Sequence, residues 1–461
     1  MRNFIFLLFF FFTGIQFFIA DVTFVTLLSF FVNYIVIMVI MYYHFFLEKD
    51  FSPFISAYLI FNLLFFIIAP LAQIYTETET YVNNFPYHWA EAIRANIYIL
   101  LFNITFFVSY IVFKKQHKTV IDYQIKKKLP FDILVILVLS ILILVFNIDY
   151  IQEKLMTPTW KLQYDNNKSI KIIISKVLFS VPLAGVAMCV MYFKKKNRNA
   201  INWMTILVSI CVFLLLIVVF KNPFMEKRSG LGPIYFCLIF LFIPKLLNSN
   251  IKTTLVLYFS LIFLMPLLAV FTHVNSSFSE VIKNPSILFK SFKGDVLMSN
   301  FDTLNFDTYA NFLATIEYVS LEGFSLGEQL SGAFLFFVPR SIWQTKPHTT
   351  GQVVGDYLIE NHDFWFNNLS NPFISEAYLN FGVFGIILFA FILAFLLTKA
   401  ILFLKSDDYL KKTFAFFIAI HLIYFLRGDF TNGFSQFILV GFGIYVIPKM
   451  VVLAFKGIKL W

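Results

Sequence analysis

Charged residues are scarce in this sequence, at only 13% of its 461 residues. A soluble globular chain carries about 25% charged residues, so this shortage excludes an ordinary soluble enzyme or binding module. Hydrophobic residues make up 59% of the chain, and Phe alone occurs 64 times. This composition predicts an all-α polytopic integral membrane protein, organised as one helical bundle with an inserted loop.

Cysteine and the common cofactor motifs are also lacking. The 3 cysteines lie in apolar runs without a pairing pattern, so they indicate neither a disulfide framework nor a metal site; they are Cys189, Cys211 and Cys237. The sequence contains no Walker A loop, no Gly-x-Gly-x-x-Gly, no His-Glu-x-x-His and no Asp-x-Asp. We therefore expect no metal and no other cofactor, so any phosphate chemistry would use fixed cations. The net charge of +10 reflects where the lysines lie and does not indicate nucleic acid.

Long apolar runs dominate the chain. About 20 apolar residues cross a bilayer, and twelve such runs predict twelve spans, at approximately 4–20, 22–46, 53–75, 90–113, 131–149, 169–193, 201–220, 229–247, 253–271, 378–404, 413–427 and 433–455. Three regions follow from these limits. They are residues 1–271 with spans one to nine, a large external loop at 272–377 with short helices, and residues 378–461 with spans ten to twelve.

Lysine and arginine in the connecting loops indicate the topology, because cytoplasmic loops carry an excess of both. Connections 114–128, 194–198 and 405–412 are rich in these residues, whereas 76–88 has Glu77 and Glu79 and no cation. Alternation from these loops places both termini in the cytoplasm and residues 272–377 outside it.

The external loop is acidic overall, with eleven acidic residues against five cations. Loops of this length are uncommon and usually functional. Within it, Tyr309 to Val319 has helical apolar spacing, whereas Ser331 to Val338 is apolar but too short to span a membrane. We expect this second segment to meet the membrane interface.

Three cationic or titratable side chains follow that segment: Arg340 and Lys346 lie between Pro339 and Pro347, and His348 comes directly after Pro347. A guanidinium holds phosphate oxygens bidentately and a lysine adds a point charge, so the cluster predicts a site for a lipid diphosphate. Arg340 and Lys346 could instead be snorkelling residues at the end of an apolar segment.

Other candidates lie near predicted span ends. Arg228, in Lys227-Arg228-Ser229-Gly230, could bind an anion or anchor a helix end. Arg427-Gly428-Asp429 could bind substrate or form a local ion pair across a turn. Glu376 could act as a general base at a bilayer boundary or could simply mark a helix start.

The segment from Phe336 to Trp343, followed by Lys346-Pro347, resembles the signature loop of O-antigen polymerases of the Wzy class, which are bacterial oligosaccharide repeat-unit polymerases. Arg340 and Gly351 enclose ten residues, which is the Arg-x10-Gly spacing of such loops, whereas Ile239 stands eleven positions beyond Arg228 where a glycine would be. The resemblance covers the last third of the chain best, and it continues through Asn371-Pro372, Glu376-Ala377-Tyr378, Asn380-Phe381-Gly382 and Arg427-Gly428-Asp429.

The resemblance implies a metal-independent glycosyltransferase that polymerises undecaprenyl-diphosphate-linked repeat units at the periplasmic face of the bacterial inner membrane. Because negative charge grows on the diphosphate as the glycosidic bond breaks, we expect diphosphate or glycan binding by Arg340, Lys346, Arg228, Arg427 and Asp429, and catalysis by Arg340. The acceptor hydroxyl also needs a base, for which His348 and then Glu376 are the candidates. A chain-length regulator and a flippase would be partners in the pathway. Two alternatives remain open: a flippase or transporter of lipid-linked oligosaccharide, and an O-antigen ligase.

Overall fold

A computed structural model describes residues 2–18, 22–75, 79–115, 129–156, 168–194, 200–223, 226, 228–264 and 301–457. Helices α1 to α12 run in order through the first part of the chain: Arg2–Gly14, Phe24–Tyr42, Pro53–Leu63, Ala69–Tyr75, Trp89–Lys115, Leu129–Phe146, Ile148–Met156, Lys168–Leu178, Ser180–Phe193, Ala200–Phe220, Arg228–Phe242 and Asn250–Phe259. Helices α13 to α19 follow: Thr308–Glu322, Glu328–Phe334, Thr350–His362, Phe373–Lys405, Tyr409–Arg427, Phe430–Gly441 and Ile447–Gly457.

Helices account for nearly all the regular structure, and the described residues form no strand beyond one isolated bridge, Thr80–Pro86. Among them, 8 helical segments are long and apolar enough to cross a membrane. These are Phe24–Leu47, Pro53–Tyr75, Trp89–Lys115, Ile173–Phe193, Trp203–Phe220, Phe373–Lys405, Tyr409–Arg427 and Phe430–Ala454. The expected all-α membrane protein is confirmed at this level. The predicted number of twelve spans stays a prediction.

Side-chain caps fix where several helices begin. Thr23 accepts a hydrogen bond from the Thr26 N–H at the start of α2, and Ser249 does the same for the Lys252 N–H at the start of α12. Asp408 caps α17, and Asp429 caps α18. Each cap satisfies an N–H group that the first helical turn leaves without a partner.

The segment Pro53–Tyr75 is the centre of the bundle, and every residue from Pro53 to Ile74 is buried. Pro53 begins α3, where its missing N–H costs nothing, and a π-helical turn at Leu64–Ile68 joins α3 to α4. Around this segment lie α12 and α17, while α16 packs along α5.

Polar contacts between distant parts of the chain show which connecting loops lie at the same end of the bundle. At one end, Lys114 lies 3.6 Å and Lys405 lies 3.0 Å from the Asp50 carboxylate. The Asn250 side chain donates to the Asp50 carbonyl at 3.1 Å. Residues near 50, 114, 250 and 405 therefore share one end of the bundle.

The described part of the expected external loop lies at the other end and packs on the bundle. Gln73 donates to the Phe301 carbonyl at 2.8 Å, and Tyr309 donates to the Ala92 carbonyl at 3.2 Å. Residues 265–300 lie outside the described residues. The predicted helix from Tyr309 to Val319 is confirmed by α13, whereas in the Ser331–Val338 segment the helix α14 ends at Phe334.

Helix α16 is broken eight residues after it begins, which the expected span at 378–404 did not anticipate. Phe381 has φ −141° and ψ 17°, and Gly382 has φ 58° and ψ −142°, a conformation essentially restricted to glycine. The break divides α16 into a short first part, Phe373 to Asn380, and a long apolar second part. The carbonyls of Leu379 and Asn380 accept N–H groups of the loop after α13 at 3.0 and 3.1 Å, so the freed backbone groups stay satisfied.

Replacing Gly382 by alanine should destabilise the protein by about 1–3 kcal/mol, the usual cost of a side chain in such a conformation. The added methyl would also lie 2.8 Å from the Phe324 ring. Thermal unfolding of the purified protein measures the effect. Gly14→Ala is the matched control, because its new methyl would meet only the Tyr34 hydroxyl at 3.6 Å. Equal melting temperatures for both variants would contradict the strained break.

Candidate functional site

Lys346 closes the loop between α14 and α15. Its ammonium donates to the carbonyls of Leu335, Phe336 and Val338 at 3.3, 3.0 and 2.9 Å, and these carbonyls follow the end of α14, where helical partners run out. Burial lowers the pKa of Lys346 below its ordinary value, and the neighbouring Arg340 cation lowers it further. The side chain therefore holds the loop in shape.

Arg340 also donates hydrogen bonds to backbone carbonyls of this loop. Its guanidinium donates to the carbonyls of Lys346 and Pro347, the second at 3.2 Å. The side chain remains exposed, and an arginine carries five N–H donors. The loop contacts leave donors for a ligand, so Arg340 can shape the loop and bind an anion at once.

His348 follows on the surface. Its Nδ1 lies 2.8 Å from the Gln352 side-chain oxygen, within the first turn of α15. This contact orients the ring, and His348 is exposed. The structure thus keeps all three residues of the predicted cluster in one short loop.

Two buried carboxylates meet at the start of α15. Glu376 accepts a hydrogen bond from the Thr350 hydroxyl at 2.7 Å, and Asp429 accepts one from the Gly351 N–H at 3.3 Å. Burial raises the pKa of Asp429 above its ordinary value, and hydrogen bonds from Thr349 and from backbone N–H groups offset part of that rise. Consecutive residues of one helix terminus therefore hold two acids from different parts of the chain.

Gly351 permits this approach. A methyl group at this position would lie 2.2 Å from the Leu369 carbonyl oxygen and 3.5 Å from the Asp429 carboxylate. Any larger residue would push α15 away from both. The glycine of the Arg-x10-Gly spacing thus has a packing role next to the carboxylate pair.

Asn380 links Glu376 to the break in α16. Its amide donates to the Glu376 carbonyl at 2.8 Å and to the Glu376 carboxylate at 3.3 Å. Its side-chain oxygen accepts the Gly327 N–H at 3.0 Å. Sequence reasoning placed Glu376 just before a span, whereas it lies buried within α16 and is fixed by the break.

Arg427 points away from Asp429. It donates to the Leu304 carbonyl at 2.7 Å and to Asp307 at 3.2 Å, and it lies 5.9 Å from the centre of the Phe65 ring. Burial raises the pKa of Asp307, and Arg427 opposes that rise. Arg427 therefore fastens the 301–307 segment to the bundle. The local pair with Asp429, one of the two readings of the sequence, is not seen here.

Arg228 begins α11, but its side chain lies outside the described residues. The structure does not connect it with the other candidates. Among the described residues, no three His, Cys, Asp or Glu side chains come close enough to share a metal ion.

Lys176 is a neighbour of the site that sequence reasoning missed. It lies on α8, and its ammonium donates to the Ser435 hydroxyl at 2.6 Å and to the Asn432 carbonyl at 3.3 Å. Both acceptors lie on the first turns of α18, just after the Asp429 cap. The available signal was a lysine inside an apolar run, since ionisable residues in membrane spans are costly and usually functional.

Comparison with known proteins found no matching family model, curated protein or solved structure for this chain.

Replacing Lys346 by methionine should loosen the loop at 335–349, because three carbonyls lose a donor and each hydrogen bond contributes about 1 kcal/mol. We expect the amides of this loop to exchange with deuterium at least about tenfold faster. Hydrogen-exchange mass spectrometry of the purified protein measures this. Lys245→Met, which changes an exposed lysine elsewhere, is the control. Unchanged exchange at 335–349 would show that Lys346 does not hold the loop.

Proposed function

We propose that this chain is a repeat-unit polymerase of the O-antigen polymerase class. It would transfer a growing glycan from undecaprenyl diphosphate to a new lipid-linked oligosaccharide. One arrangement carries the proposal: the Arg340 and Lys346 loop runs directly into the helix terminus that holds Glu376. Pro347 accepts from Arg340 and stands three residues before Thr350, a backbone reach of at most about 11 Å.

The reaction breaks the bond between the glycan's anomeric carbon and the diphosphate oxygen, and it forms a bond from that carbon to an acceptor hydroxyl. The electron pair of the broken bond stays on the diphosphate, so negative charge grows there in the transition state. The free donors of Arg340 would stabilise this charge more than that of the ground state. Lys346, which is held beside Arg340, would add positive potential.

A base must accept the proton of the acceptor hydroxyl. Glu376 suits this role because its carboxylate is already oriented by Thr350 and Asn380, and a base needs fixed geometry before anything else. His348 is the alternative, from an exposed position. Asp429 would orient α15, and Arg427 and Arg228 would contribute to the potential around the site.

The surroundings of Arg340 suit a lipid substrate. Leu335, Phe337 and Ile342 expose apolar side chains beside the cationic loop, which is the pattern of a segment at a membrane interface. An undecaprenyl chain would lie in the bilayer with its diphosphate at this depth.

The membrane arrangement is also part of the proposal. Four shorter apolar helices, Arg2–Phe17, Pro130–Phe146, Ser229–Phe242 and Asn250–Phe263, would complete twelve spans with the eight long ones. The end with Lys114 and Lys405 would face the cytoplasm with both termini, and the candidate site would face the periplasm of a bacterial inner membrane. A flippase and a chain-length regulator would act beside it.

One observation favours a second candidate, a transporter of lipid-linked oligosaccharide. Transporters place functional charges within spans and use broken helices at their binding sites. Lys176 within Ile173–Phe193 and the break at Gly382 have this character. The following experiment separates this candidate and the ligase alternative from the polymerase.

Deleting the gene should leave surface glycan only one repeat unit long. Complementation with Arg340→Ala should fail to restore chain length, with activity reduced roughly 10²–10³-fold, and Arg340→Lys should restore it only partly because an ammonium lacks the bidentate fork. Glycan gels at matched membrane abundance measure the result.

Complete loss of glycan on deletion would instead favour the transporter, and full-length chains left on the carrier lipid would favour the ligase. Near-normal chain lengths from Arg340→Ala would remove this loop as the active site.

Glu376→Gln should abolish chain extension without unfolding the protein. Glutamine can still hydrogen-bond Thr350 and Asn380 but cannot accept the proton, and general-base catalysis contributes about 10²–10⁴-fold. Glu317→Gln is the control, since Glu317 is a second acid of the external segment, bound to Tyr357 and His362. Normal chain lengths from Glu376→Gln would exclude Glu376 as the base.

A further inference from the structure

A lysine in a membrane span without an acidic partner requires an explanation. Lys176 lies within the apolar helical segment Ile173–Phe193. In the described part of the chain its hydrogen-bond acceptors are both neutral, the Ser435 hydroxyl and the Asn432 carbonyl. A cation at this depth is costly unless an anion compensates it. The ammonium can donate three hydrogen bonds, and two are used.

The acid nearest in the fold is already engaged elsewhere. Asp429 is within electrostatic reach of Lys176. One of its oxygens accepts the N–H groups of Thr431 and Asn432 at 2.9 and 3.4 Å, and the other accepts that of Gly351. Both carboxylate oxygens of Asp429 therefore already accept hydrogen bonds from two helix termini, and Asp429 makes no direct hydrogen bond to the lysine.

A second lysine lies near Lys176, but its charge is paired. Lys221 lies 5.0 Å from the centre of the Phe179 ring, three residues along the chain from Lys176. Its ammonium binds the buried Glu226 carboxylate at 3.1 Å, and the acid compensates its charge. Of the two lysines, Lys176 is therefore the one with no acid bound to it among the described residues.

His421 supplies an independent sign of a missing ligand. Its side chain is only 8% exposed, and neither ring nitrogen has a hydrogen-bond partner among the described residues. A buried polar group left without a partner costs about 1–3 kcal/mol. The His421 ring lies 5.2 Å from the Phe437 ring on α18, two residues beyond the Ser435 hydroxyl that Lys176 binds. The unsatisfied nitrogens of His421 and the free donor of Lys176 therefore adjoin the same helix.

We propose that Lys176 and His421 form a second anion site, which takes the phosphate of a lipid headgroup. Lysine and a histidine N–H both donate to phosphate oxygens. Lys176 lies on a helical segment apolar enough to cross a membrane, where a phosphate carried by a lipid is a more accessible ligand than one in open solvent. This site is distinct from the Arg340 loop, and it serves a polymerase and a transporter equally, so it does not depend on the proposed function.

The test measures binding in the Arg340→Ala background, so that the loop site does not mask the result. The full chain is placed in phosphatidylcholine nanodiscs, and its affinities for farnesyl phosphate and for inorganic phosphate are compared. Lys176→Met should weaken farnesyl phosphate binding at least tenfold, and His421→Phe at least threefold. Lys399→Met is the control, because Lys399 is an exposed lysine on another spanning helix, and it should change the affinity less than twofold.

Melting temperatures measured alongside show whether each variant folds, and Lys176→Arg should retain binding if charge is what matters. Equal affinity for inorganic phosphate would assign the site to a free anion and overturn the lipid headgroup. An unchanged affinity in folded Lys176→Met protein would overturn the site itself.

Discussion

Every polar group carried to membrane depth needs a partner, and this requirement shapes the candidate site. The break in α16 frees backbone carbonyls, and the loop after α13 supplies the N–H groups that satisfy them. The same break lets Asn380 bind Glu376 on one side and Gly327 on the other. Glu376 is thereby fixed between Asn380 and Thr350. The position of Glu376 therefore depends on how the backbone groups at the break are hydrogen-bonded.

Close helix packing at this site depends on glycine at two places. Gly351 lets α15 reach Asp429, and Gly382 accepts a backbone conformation that other residues resist. Without the first, the two carboxylates would separate, and without the second, the short first part of α16 would not end where Asn380 can cap it. Both positions were singled out in the sequence, Gly351 as the end of the Arg-x10-Gly spacing and Gly382 as the end of Asn380-Phe381-Gly382.

Hydrophobic runs predicted the helices well, because length and apolarity are local properties of the sequence. The eight long spans and α13 follow from them directly. The directions in which the charged side chains point cannot be predicted in this way, because they depend on carbonyls and acids far along the chain. Arg427 was grouped with its neighbour Asp429, yet it binds Asp307, more than a hundred residues away in sequence. Lys176 was missed for a different reason, because the apolar run at 169–193 was counted as a span without weighing the lysines inside it.

The cations of the site differ in how many of their hydrogen-bond donors already bind other groups of the protein. The Lys346 ammonium already donates to three carbonyls. Its charge would therefore act on a ligand through the electrostatic potential more than through direct contact. Arg340 binds two carbonyls and keeps further donors toward the surface. Lys176 has one donor left and no acid bound to it among the described residues. A ligand phosphate would gain most where a donor is both held in place and unsatisfied, because no hydrogen bond has to be broken first. By that criterion Arg340 and Lys176 are the best candidates for binding an anion, and Lys346 contacts the loop that carries Arg340.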